Sequence, residues 1–391
     1  MIWKNRVLAP KLEAALERGK SILLLGPRQT GKTTLVKKLK HDKYITLMHP
    51  AVLQKYESNP SILIEETKAQ QKSLARKPVI ILDEVQKVPT ITDCIQILID
   101  DGIAQFIITG SSARKIKNLL PGRVIKYTLA PLNLLELDTE TINLESILVN
   151  GSLPEVYNTK KQEDINELLH SYVSLYLEEE IRKEALVRNI GNFSNFLKLA
   201  CIESGNLVHL RNIGDEIGVS HQTISDYYDI LLDCMLVEKI EPLTKSITRK
   251  RLTKSPKFIM FDLGIKRFGA NEPFNPGQKQ LSLLFEQFIG LELSRMIRQN
   301  NLRTDLLFWR SHDGPEIDFI LSHDNTYTPI EVKWTENPSQ KDLRHIISFN
   351  QEYAVTGLSY IICRCDAPRL LADNVLALPW QNLPQVFKNI E

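Results

Sequence analysis

The sequence predicts a multidomain α/β protein that begins with a parallel β-sheet built around a phosphate-binding loop. Its 391 residues exceed what one hydrophobic core usually accommodates, so two or three domains are expected. Short apolar runs that end in polar residues recur in the first 160 positions, which is typical of the buried strands of a parallel sheet. Helical patterns and further short strands follow, which indicates additional mixed domains.

The segment from residue 26 to residue 33 is an intact G-x-x-x-x-G-K-T loop. It follows the apolar run 22–25 and precedes the helix-prone segment 34–39, so backbone N–H groups and the positive helix end are expected to face a triphosphate. Lys32 is expected to reach the outer phosphates and Thr33 to ligate Mg²⁺. Glycines that serve only a tight turn would be the alternative. The predicted nucleotide contacts are Gly26, Pro27, Arg28, Gln29, Thr30, Gly31, Lys32, Thr33 and Thr34.

An acid pair follows the next buried strand. Four apolar residues, 79–82, precede Asp83 and Glu84. Asp83 is suited to hold Mg²⁺ directly or through water, and the Glu84 carboxylate is suited to polarise a water behind the γ-phosphate. The alternative is an ordinary polar strand end. About fifty residues after a complete phosphate loop, the pair predicts a hydrolytic site.

Two further polar positions complete the predicted hydrolytic site. A third strand over 105–112 brings Ser111 to its end, where the hydroxyl is expected to sense the γ-phosphate or the attacking water. A serine that stabilises a turn or caps the next helix is the alternative. Arg123 follows a Pro-Gly turn and is expected to neutralise transition-state charge on a nucleotide held by a neighbouring subunit. A surface arginine is the alternative there, and Arg114 lies nearby in sequence.

The bulk composition is that of an ordinary globular protein. Hydrophobic residues make up 43% of the chain and charged residues 25%, and no apolar stretch approaches the ~20 residues needed to cross a bilayer. The N-terminus lacks a signal-peptide pattern. Five cysteines form neither a C-x-x-C pair nor a zinc spacing. Reduced thiols, a cytoplasmic location and no membrane partner are therefore expected.

A helix-turn-helix pattern follows the first domain. Apolar helices are predicted at 193–201 and 210–217, then a turn at 218–220 and a third helix capped by Ser220. Apolar residues at three- and four-residue spacing leave His221, Gln222 and Thr223 outward at the start of that helix. Such polar side chains are suited to contact base edges in a DNA groove.

The segment from residue 245 to residue 257 carries six basic residues and no acid. Apolar runs at 235–240 and 257–262 flank it, which predicts a β-hairpin with a cationic loop, as in a winged helix. Because the net charge is only +2, a nucleic-acid partner has to be held by local patches. A solvated loop, or a winged helix that contacts protein, is the alternative. The predicted DNA contacts are Ser220, His221, Gln222, Thr223, Lys245, Arg249, Lys250, Arg251 and Lys254.

The last part of the chain carries a second set of acids. An amphipathic helix over 283–292 includes Glu286, and strands are predicted at 306–309, 316–321 and 329–334. Side chains alternate on strands, so Glu331 and Lys333 share a face, and a neighbouring strand brings Asp318 close to Glu331. Two carboxylates are suited to hold Mg²⁺ beside a scissile phosphate, with Lys333 on the water and Glu286 as an outer ligand. One alternative is a nuclease-like domain that only holds DNA or forms oligomers. The other is a charge pair that only stabilises the sheet.

The order of these motifs, with Leu-Ala-Pro-Leu at 129–132 and Gly-Ser-Leu-Pro-Glu at 151–155, resembles that of a widespread bacterial and archaeal family of AAA+ ATPases. The resemblance implies an α/β fold: a parallel-sheet P-loop AAA+ core, a winged-helix domain and a small restriction-endonuclease-like domain. It also implies ATP and Mg²⁺ as cofactors and places Lys32, Ser111 and Arg123 beside Glu84 in catalysis. No lid-borne second sensor can be named. The expected domains are 1–160 (ATPase), 161–190 (helical lid), 191–275 (winged helix) and 276–391 (nuclease-like).

Three classes of function are compatible with these motifs. The preferred class is an ATP-dependent AAA+ motor that remodels or moves along forked, branched or duplex DNA, as in branch migration, with ATP hydrolysed between subunits of a hexameric ring. The second is an ATP-regulated, Mg²⁺-dependent DNA endonuclease. In the third, nucleotide occupancy controls a signalling or scaffold switch without translocation.

Overall fold

A computed structural model describes residues 5–112, 121–138, 142–177, 190–244, 252–311, 314–355 and 357–389. The chain forms two compact units. The N-terminal unit comprises Met1–Glu136, Leu153–Asn158 and Asp233–Leu236, and the C-terminal unit comprises Leu137–Ser152, Thr159–Leu232 and Val237–Glu391. The four domains expected from the sequence stay a prediction.

The N-terminal unit is built on a parallel sheet. Its strands are β1 (Ser21–Leu25), β2 (Lys43–Thr46), β3 (Val79–Asp83), β4 (Gln105–Gly110) and β5 (Val124–Thr128). They are ordered β2-β3-β4-β1-β5, and every neighbouring pair runs parallel. Its helices are α1 (Ala9–Glu17), α2 (Lys32–Val36), α3 (Pro50–Ser58), α4 (Ile62–Leu74) and α5 (Ile91–Asp100). The predicted α/β class is confirmed.

Burial on both faces explains why the strands of this sheet are apolar. All five residues of β1 are buried, with alternate side chains such as Leu23 and Leu24 entering different hydrophobic clusters. A parallel sheet covered on both faces excludes water from each side, so a continuous apolar run is required. β4 ends at Gly110, two residues earlier than the sequence predicted, which leaves Ser111 just beyond the strand. The carboxyl ends of β1, β3 and β4 therefore meet at one edge of the sheet.

The C-terminal unit contains helices and a mixed sheet. Its helices are α6 (Leu144–Asn150), α8 (Gln162–Ser171), α9 (Ile190–Ile202), α10 (Leu210–Ile217), α11 (His221–Asp233), α12 (Leu263–Gly269), α13 (Gln278–Asn300) and α14 (Arg344–Glu352), whereas α7 (Pro154–Asn158) belongs to the N-terminal unit. The strands are β6 (Val237–Pro242), β7 (Lys257–Met260), β8 (Asp305–Arg310), β9 (Glu316–His323), β10 (Thr326–Val332), β11 (Ser359–Cys363), β12 (Arg369–Ala372) and β13 (Val375–Pro379). Short 3-10 helices lie at Val85–Lys87, Gln340–Leu343 and Trp380–Asn389, and a π-helical turn at Tyr172–Leu177.

One sheet joins the hairpin β6–β7 to the strands of the last hundred residues. Its order is β12-β13-β11-β10-β9-β8-β6-β7, with β6 running parallel to β8 through Glu241 opposite Leu307. The strand pairs β8–β9 and β9–β10 are antiparallel, and β10–β11 is parallel. The hairpin predicted as a wing therefore extends the same sheet that carries Asp318 and Glu331.

The turn between α10 and α11 is determined by local chemistry. Gly218 ends α10 with a positive φ of 79°, which L side chains rarely adopt. The Ser220 hydroxyl then accepts the backbone N–H of Thr223 at 3.1 Å, as an N-cap does. On the inner face Tyr228 contacts Phe196 and stacks on Phe258 with ring centroids 4.0 Å apart.

The predicted helix at 283–292 is longer in the structure, since α13 runs from Gln278 to Asn300. Gly290 allows α13 to pack closely on the sheet, because a Cβ there would lie 2.6 Å from the Phe319 ring. Among the described residues, no helix combines the length and apolar character that a membrane-spanning segment requires.

Candidate functional site

The phosphate loop lies between β1 and α2, and the backbone requires glycine at both glycine positions of the motif. At Gly26 a Cβ would lie 2.2 Å from the carbonyl oxygen of Leu129, closer than any real contact. Gly31 precedes α2 with a φ of 91°, in the left-handed region. The spacing of the motif therefore reflects two steric requirements of this loop.

Lys32 is the buried cation of the loop. Its ammonium donates to the carbonyl oxygens of Gly26 and Pro27, each at 2.8 Å, and only 5% of the residue is exposed. Thr30 is also buried and donates its hydroxyl to Pro27 at 2.9 Å. The loop thus holds a positive charge beside the helix start, as an anion site needs.

The remaining predicted nucleotide contacts differ in exposure. Arg28 and Gln29 are half-buried, whereas Thr34 is exposed on α2. Gln29 adopts a positive φ of 59°.

Asp83 lies at the end of β3 and accepts hydrogen bonds from hydroxyl groups on three other elements. It accepts from Thr33 at 3.0 Å, from Tyr44 at 2.7 Å and from Thr109 at 2.5 Å. Only 2% of Asp83 is exposed. A buried carboxylate needs such donors, because an unpaired charge in an apolar environment is strongly destabilising.

Glu84 follows Asp83 in a left-handed backbone conformation, with a φ of 64°. This conformation is uncommon for a residue with a Cβ and is found more often at functional sites. The Thr109 hydroxyl accepts the Glu84 N–H at 3.1 Å. The side chain accepts from the Gln86 amide and lies 3.5 Å from the Ser111 hydroxyl, which itself accepts from Gln86 at 3.0 Å.

These donors fit Mg²⁺ as the cofactor of a nucleotide. The Thr33 hydroxyl and the Asp83 carboxylate are hard oxygen ligands in direct contact, and Mg²⁺ is usually bound through one or two such groups together with substrate phosphates. The structure therefore brings together the predicted Lys32, Thr33, Asp83, Glu84 and Ser111 at one edge of the sheet. It adds Tyr44, Thr109 and Gln86, which sequence reasoning missed. Gln86 follows the acid pair by two residues, and this short spacing is the sequence signal that could have identified it.

Arg6 is a second feature that sequence reasoning missed. Its guanidinium pairs with Glu136 at 3.0 Å and donates to the carbonyl oxygens of Thr30 at 2.6 Å and Ala130 at 2.7 Å. The side chains of Arg6 and Glu136 are 3% and 0% exposed. No local pattern marks this pair, because its partners are 130 positions apart.

Arg123 forms a bidentate pair with Asp100 at the surface, with N···O distances of 2.7 and 2.9 Å. Within its own unit it is therefore engaged with α5. Contact with a neighbouring subunit's nucleotide stays a prediction, and it requires Arg123 to leave Asp100.

The predicted nuclease-like residues form a buried cluster in the C-terminal unit. Asp318 on β9 accepts the backbone N–H of Val332 at 2.8 Å, and Glu331 on β10 pairs with Lys333 at 2.7 Å. Asp318 is 6% exposed and Glu331 1%. Burial and the negative charge of Asp318 raise the pKa of Glu331 to about 7. The same two causes raise the pKa of Glu286 on α13 to about 7.

Two basic residues that were not predicted as site residues join the cluster. Lys257 pairs with Glu286 at 3.0 Å, and His345 Nδ1 lies 3.7 Å from Glu331 Oε1. The interaction with Glu331 raises the pKa of His345. Lys257 was expected at the end of a cationic loop, but it is buried at the start of β7 because Glu286 neutralises its charge.

The donor set of this cluster only partly fits a metal. Glu331 Oε1 is buried and has no hydrogen-bond partner among the described residues, so it is available as a ligand. Over the same part of the chain, however, no group of three or more His, Cys, Asp or Glu side chains has the geometry to hold a metal ion. Basic side chains instead balance the acids.

The predicted DNA contacts lie partly within the described structure. Ser220, His221 and Gln222 are exposed at the start of α11, and Thr223 is half-buried. Lys254 is exposed ahead of β7. Lys245, Arg249, Lys250 and Arg251 lie outside the described residues.

Comparison with protein families assigns the N-terminal site to a class. Residues 18–137 match a family model described as an AAA domain, which supports ATPase activity in general. Residues 141–271 and 282–383 match two domains of unknown function, DUF8612 and DUF4143. The chain therefore carries an AAA-type P-loop domain followed by two further segments whose families have no described activity.

Two relatives and two solved structures are similar to the chain. The uncharacterized proteins Rv2008c of Mycobacterium tuberculosis and Mb2031c of Mycobacterium bovis are each 25% identical over 354 aligned positions. These alignments cover 87% of this chain and 76% of each relative. The Aeropyrum pernix ORC2 protein is 14% identical over 76% of this chain and 96% of its own, with a TM-score of 0.28. The Pif1 helicase of Candida albicans is 14% identical over 43% of this chain and 47% of its own, with a TM-score of 0.24. TM-scores this low do not indicate the function of this chain.

Proposed function

We propose that this protein is an AAA+ motor that hydrolyses ATP at the phosphate loop and uses the energy to remodel or move along forked, branched or duplex DNA. The observation that carries the ATPase assignment is the contact between Thr33 and Asp83 beside Lys32 and Glu84. It combines a cation for phosphates, oxygen ligands for a metal and a carboxylate for water at the ends of neighbouring strands.

Each residue of the N-terminal site has a distinct task in hydrolysis. Lys32 and the loop N–H groups bind the phosphates, and Thr33 and Asp83 hold Mg²⁺, which neutralises charge on the phosphate oxygens. Glu84 orients the attacking water and accepts its proton. The Ser111 hydroxyl lies 3.5 Å from the Glu84 carboxylate, close enough to contact the same water.

We place the ATP sites between subunits of a ring, expected to be hexameric, in which Arg123 acts on the neighbour's nucleotide. The support is chemical. Arg123 follows a Pro-Gly turn, and Asp100, with which it pairs in this structure, is itself exposed. Surface ion pairs are weak, so Arg123 loses little free energy when it leaves Asp100, and its guanidinium matches the geometry of a phosphate. Mixing Arg123→Ala with Lys32→Ala subunits tests this arrangement. Partial recovery of ATPase activity is expected, and mixtures no more active than the separate variants would exclude a shared site.

DNA binding is assigned to the C-terminal unit as a winged helix. The support is the order of three helices, α9 to α11, followed by the antiparallel hairpin β6–β7, with exposed polar residues at the start of α11. Lys254 is described, is exposed and lies in the connection between β6 and β7. If it contacts phosphate, Lys254→Ala lowers the salt dependence of DNA affinity by about one unit of slope, uniformly across sequences. Lys198→Ala, on the exposed face of α9, is the matched control; equal slopes in both variants would contradict the assignment.

An ATP-regulated endonuclease is the second candidate. Asp318, Glu331 and Lys333 favour it, together with Glu331 Oε1, which accepts no hydrogen bond from the described residues. Bound Mg²⁺ would polarise a phosphodiester there, with Lys333 on the attacking water. The ion pairs of Glu286 and Glu331 with basic side chains instead favour a domain that does not cleave DNA.

One experiment separates the candidates. ATP turnover, strand displacement and DNA cleavage are measured on single-stranded, duplex, forked and four-way DNA, with Asp318→Ala alongside. A motor shows turnover stimulated by one DNA architecture and unaffected by Asp318→Ala. A nuclease shows Mg²⁺-dependent cleavage that this variant abolishes. If none of these DNA architectures changes the rate of ATP turnover, the motor proposal is wrong.

A further inference from the structure

We propose that Arg6 is a positioning residue for ATP binding, which orients the phosphate loop from outside the matched AAA segment. The inference rests on the proposed function, because it concerns ATP at the same loop. Arg6 lies twelve positions before residue 18, where the family match begins. Its guanidinium nevertheless reaches the loop itself, with a 2.6 Å bond to the Thr30 carbonyl oxygen.

The geometry of the peptide bond links this contact to the anion site. In a trans peptide the C=O and N–H groups of one plane point in opposite directions. A guanidinium that holds the Thr30 carbonyl on one side therefore directs the Gly31 N–H to the other side. Gly31 immediately precedes α2 and belongs to the loop whose N–H groups, under the proposed function, bind the phosphates. Arg6 thus selects which side of the loop presents its donors.

A buried network holds the guanidinium in place. Arg6 Nε pairs with Glu136, whose carboxylate also accepts the backbone N–H groups of Val7 at 2.9 Å and Asn133 at 3.2 Å. A second arm of Arg6 donates to Ala130 at 2.7 Å. The preceding residue, Leu129, supplies the carbonyl that limits Gly26 to glycine. Arg6 therefore fixes the loop to the segment after β5.

Lysine cannot replace this arrangement. The planar guanidinium has five N–H donors in a rigid fork, whereas the ammonium is a point charge on a flexible stem. Arg6→Lys keeps the charge beside Glu136 but loses the simultaneous bonds to Thr30 and Ala130. We expect the ATP dissociation constant, and KM with it, to rise about tenfold, which corresponds to the loss of one charge-assisted hydrogen bond, with a smaller change in kcat.

The test uses the full chain and a fluorescent ATP analogue with Mg²⁺, at a temperature well below the unfolding midpoint of each variant. Arg18→Lys, an exposed arginine at the end of α1, is the matched control. A purely structural role lowers the midpoint but leaves ATP affinity of the folded protein intact. Affinity of Arg6→Lys within twofold of the wild type would overturn the proposal.

A second variant covers the case in which Arg6→Lys does not fold. Arg6→Gln combined with Glu136→Gln removes both buried charges together, so neither is left uncompensated. Weakened ATP binding by this folded double variant supports the proposal, and unchanged binding overturns it. If neither variant folds, Arg6 is structural and the proposal is wrong. Lys32→Ala runs in parallel: unchanged ATP binding in that variant would instead refute ATP binding at the loop.

Discussion

Glu84→Gln isolates the negative charge of the water-orienting side chain. Glutamine has nearly the same shape, and its amide oxygen can accept the hydrogen bond that Gln86 donates to Glu84. Ser111 stays within reach of the same atom. The left-handed backbone at residue 84 is retained, because both residues carry the same Cβ. The substitution therefore removes the proton acceptor and leaves the site assembled.

The magnitude follows from these contacts. General-base assistance contributes about 10²- to 10⁴-fold to a rate, or about 2.7–5.5 kcal/mol of activation free energy. Stability changes far less, because hydrogen bonds to a charged acceptor become hydrogen bonds to a neutral one, a difference of about 1 kcal/mol. We expect kcat for ATP to fall at least 100-fold, whereas the ATP dissociation constant stays within about threefold because the phosphate contacts of Lys32 and the loop remain.

Steady-state phosphate release gives kcat, and fluorescence titration gives the dissociation constant. Glu65→Gln is the matched control, since Glu65 is an exposed acid on α4 in the same unit. A kcat for Glu84→Gln that stays close to that of Glu65→Gln would refute the role of Glu84. Loss of ATP binding would show that the carboxylate supports the site itself.

Two further predictions concern stability. Tyr44→Phe removes the hydroxyl that donates to Asp83 at 2.7 Å, so the free energy of unfolding measured in urea should fall by about 1.5–3 kcal/mol. Tyr127→Phe is the control and should lower it less, because the Tyr127 hydroxyl lies 3.5 Å from its acceptor. Burial raises the pKa of Glu286 and Glu331 from 4.5 to about 7, so the folded state binds more protons than the unfolded state between these values. The free energy of unfolding of the C-terminal unit should therefore fall as pH rises from about 4.5 to about 7, and the fall should be shallower in Glu331→Gln.

Each of these stability predictions has a contradicting outcome. Equal unfolding free energies for the two tyrosine variants would show that the hydroxyl on Asp83 is replaced by water without loss. For the pH series, identical slopes in Glu331→Gln and the wild type would mean that other groups cause the dependence. His345 contributes in the same direction, because its pKa is also raised and its favourable charge is lost as pH rises.

Sequence reasoning located the nucleotide site because its requirements are local. Two glycines, Lys32 and Thr33 lie within eight consecutive residues, and the apolar strands before them identify the sheet edge. The fold class followed from the same runs. The antiparallel hairpin β6–β7 was also expected, but the pairing of β6 with β8 was not, because nothing in a strand's own pattern states which distant strand becomes its neighbour.

The residues that sequence reasoning missed share a physical cause. Tyr44 reaches Asp83 from 39 positions away and Lys257 reaches Glu286 from 29, so neither belongs to a contiguous motif. In the sequence Lys257 belongs to a basic run that resembles a solvated loop, whereas in the structure it pairs with the buried Glu286. A charge can be buried only where another element supplies its partner.

By itself, therefore, the sequence determined the parallel sheet, the phosphate loop and the acid pair, since backbone sterics and the burial of apolar runs act over a few neighbouring residues. Only the tertiary structure decided that Arg6 holds that loop, that Gln86 bridges Glu84 and Ser111, and that two lysines balance the buried acids of the C-terminal unit. These partners are selected by strand order and by the need of each buried polar group for a hydrogen bond, and both arise only when the chain has folded.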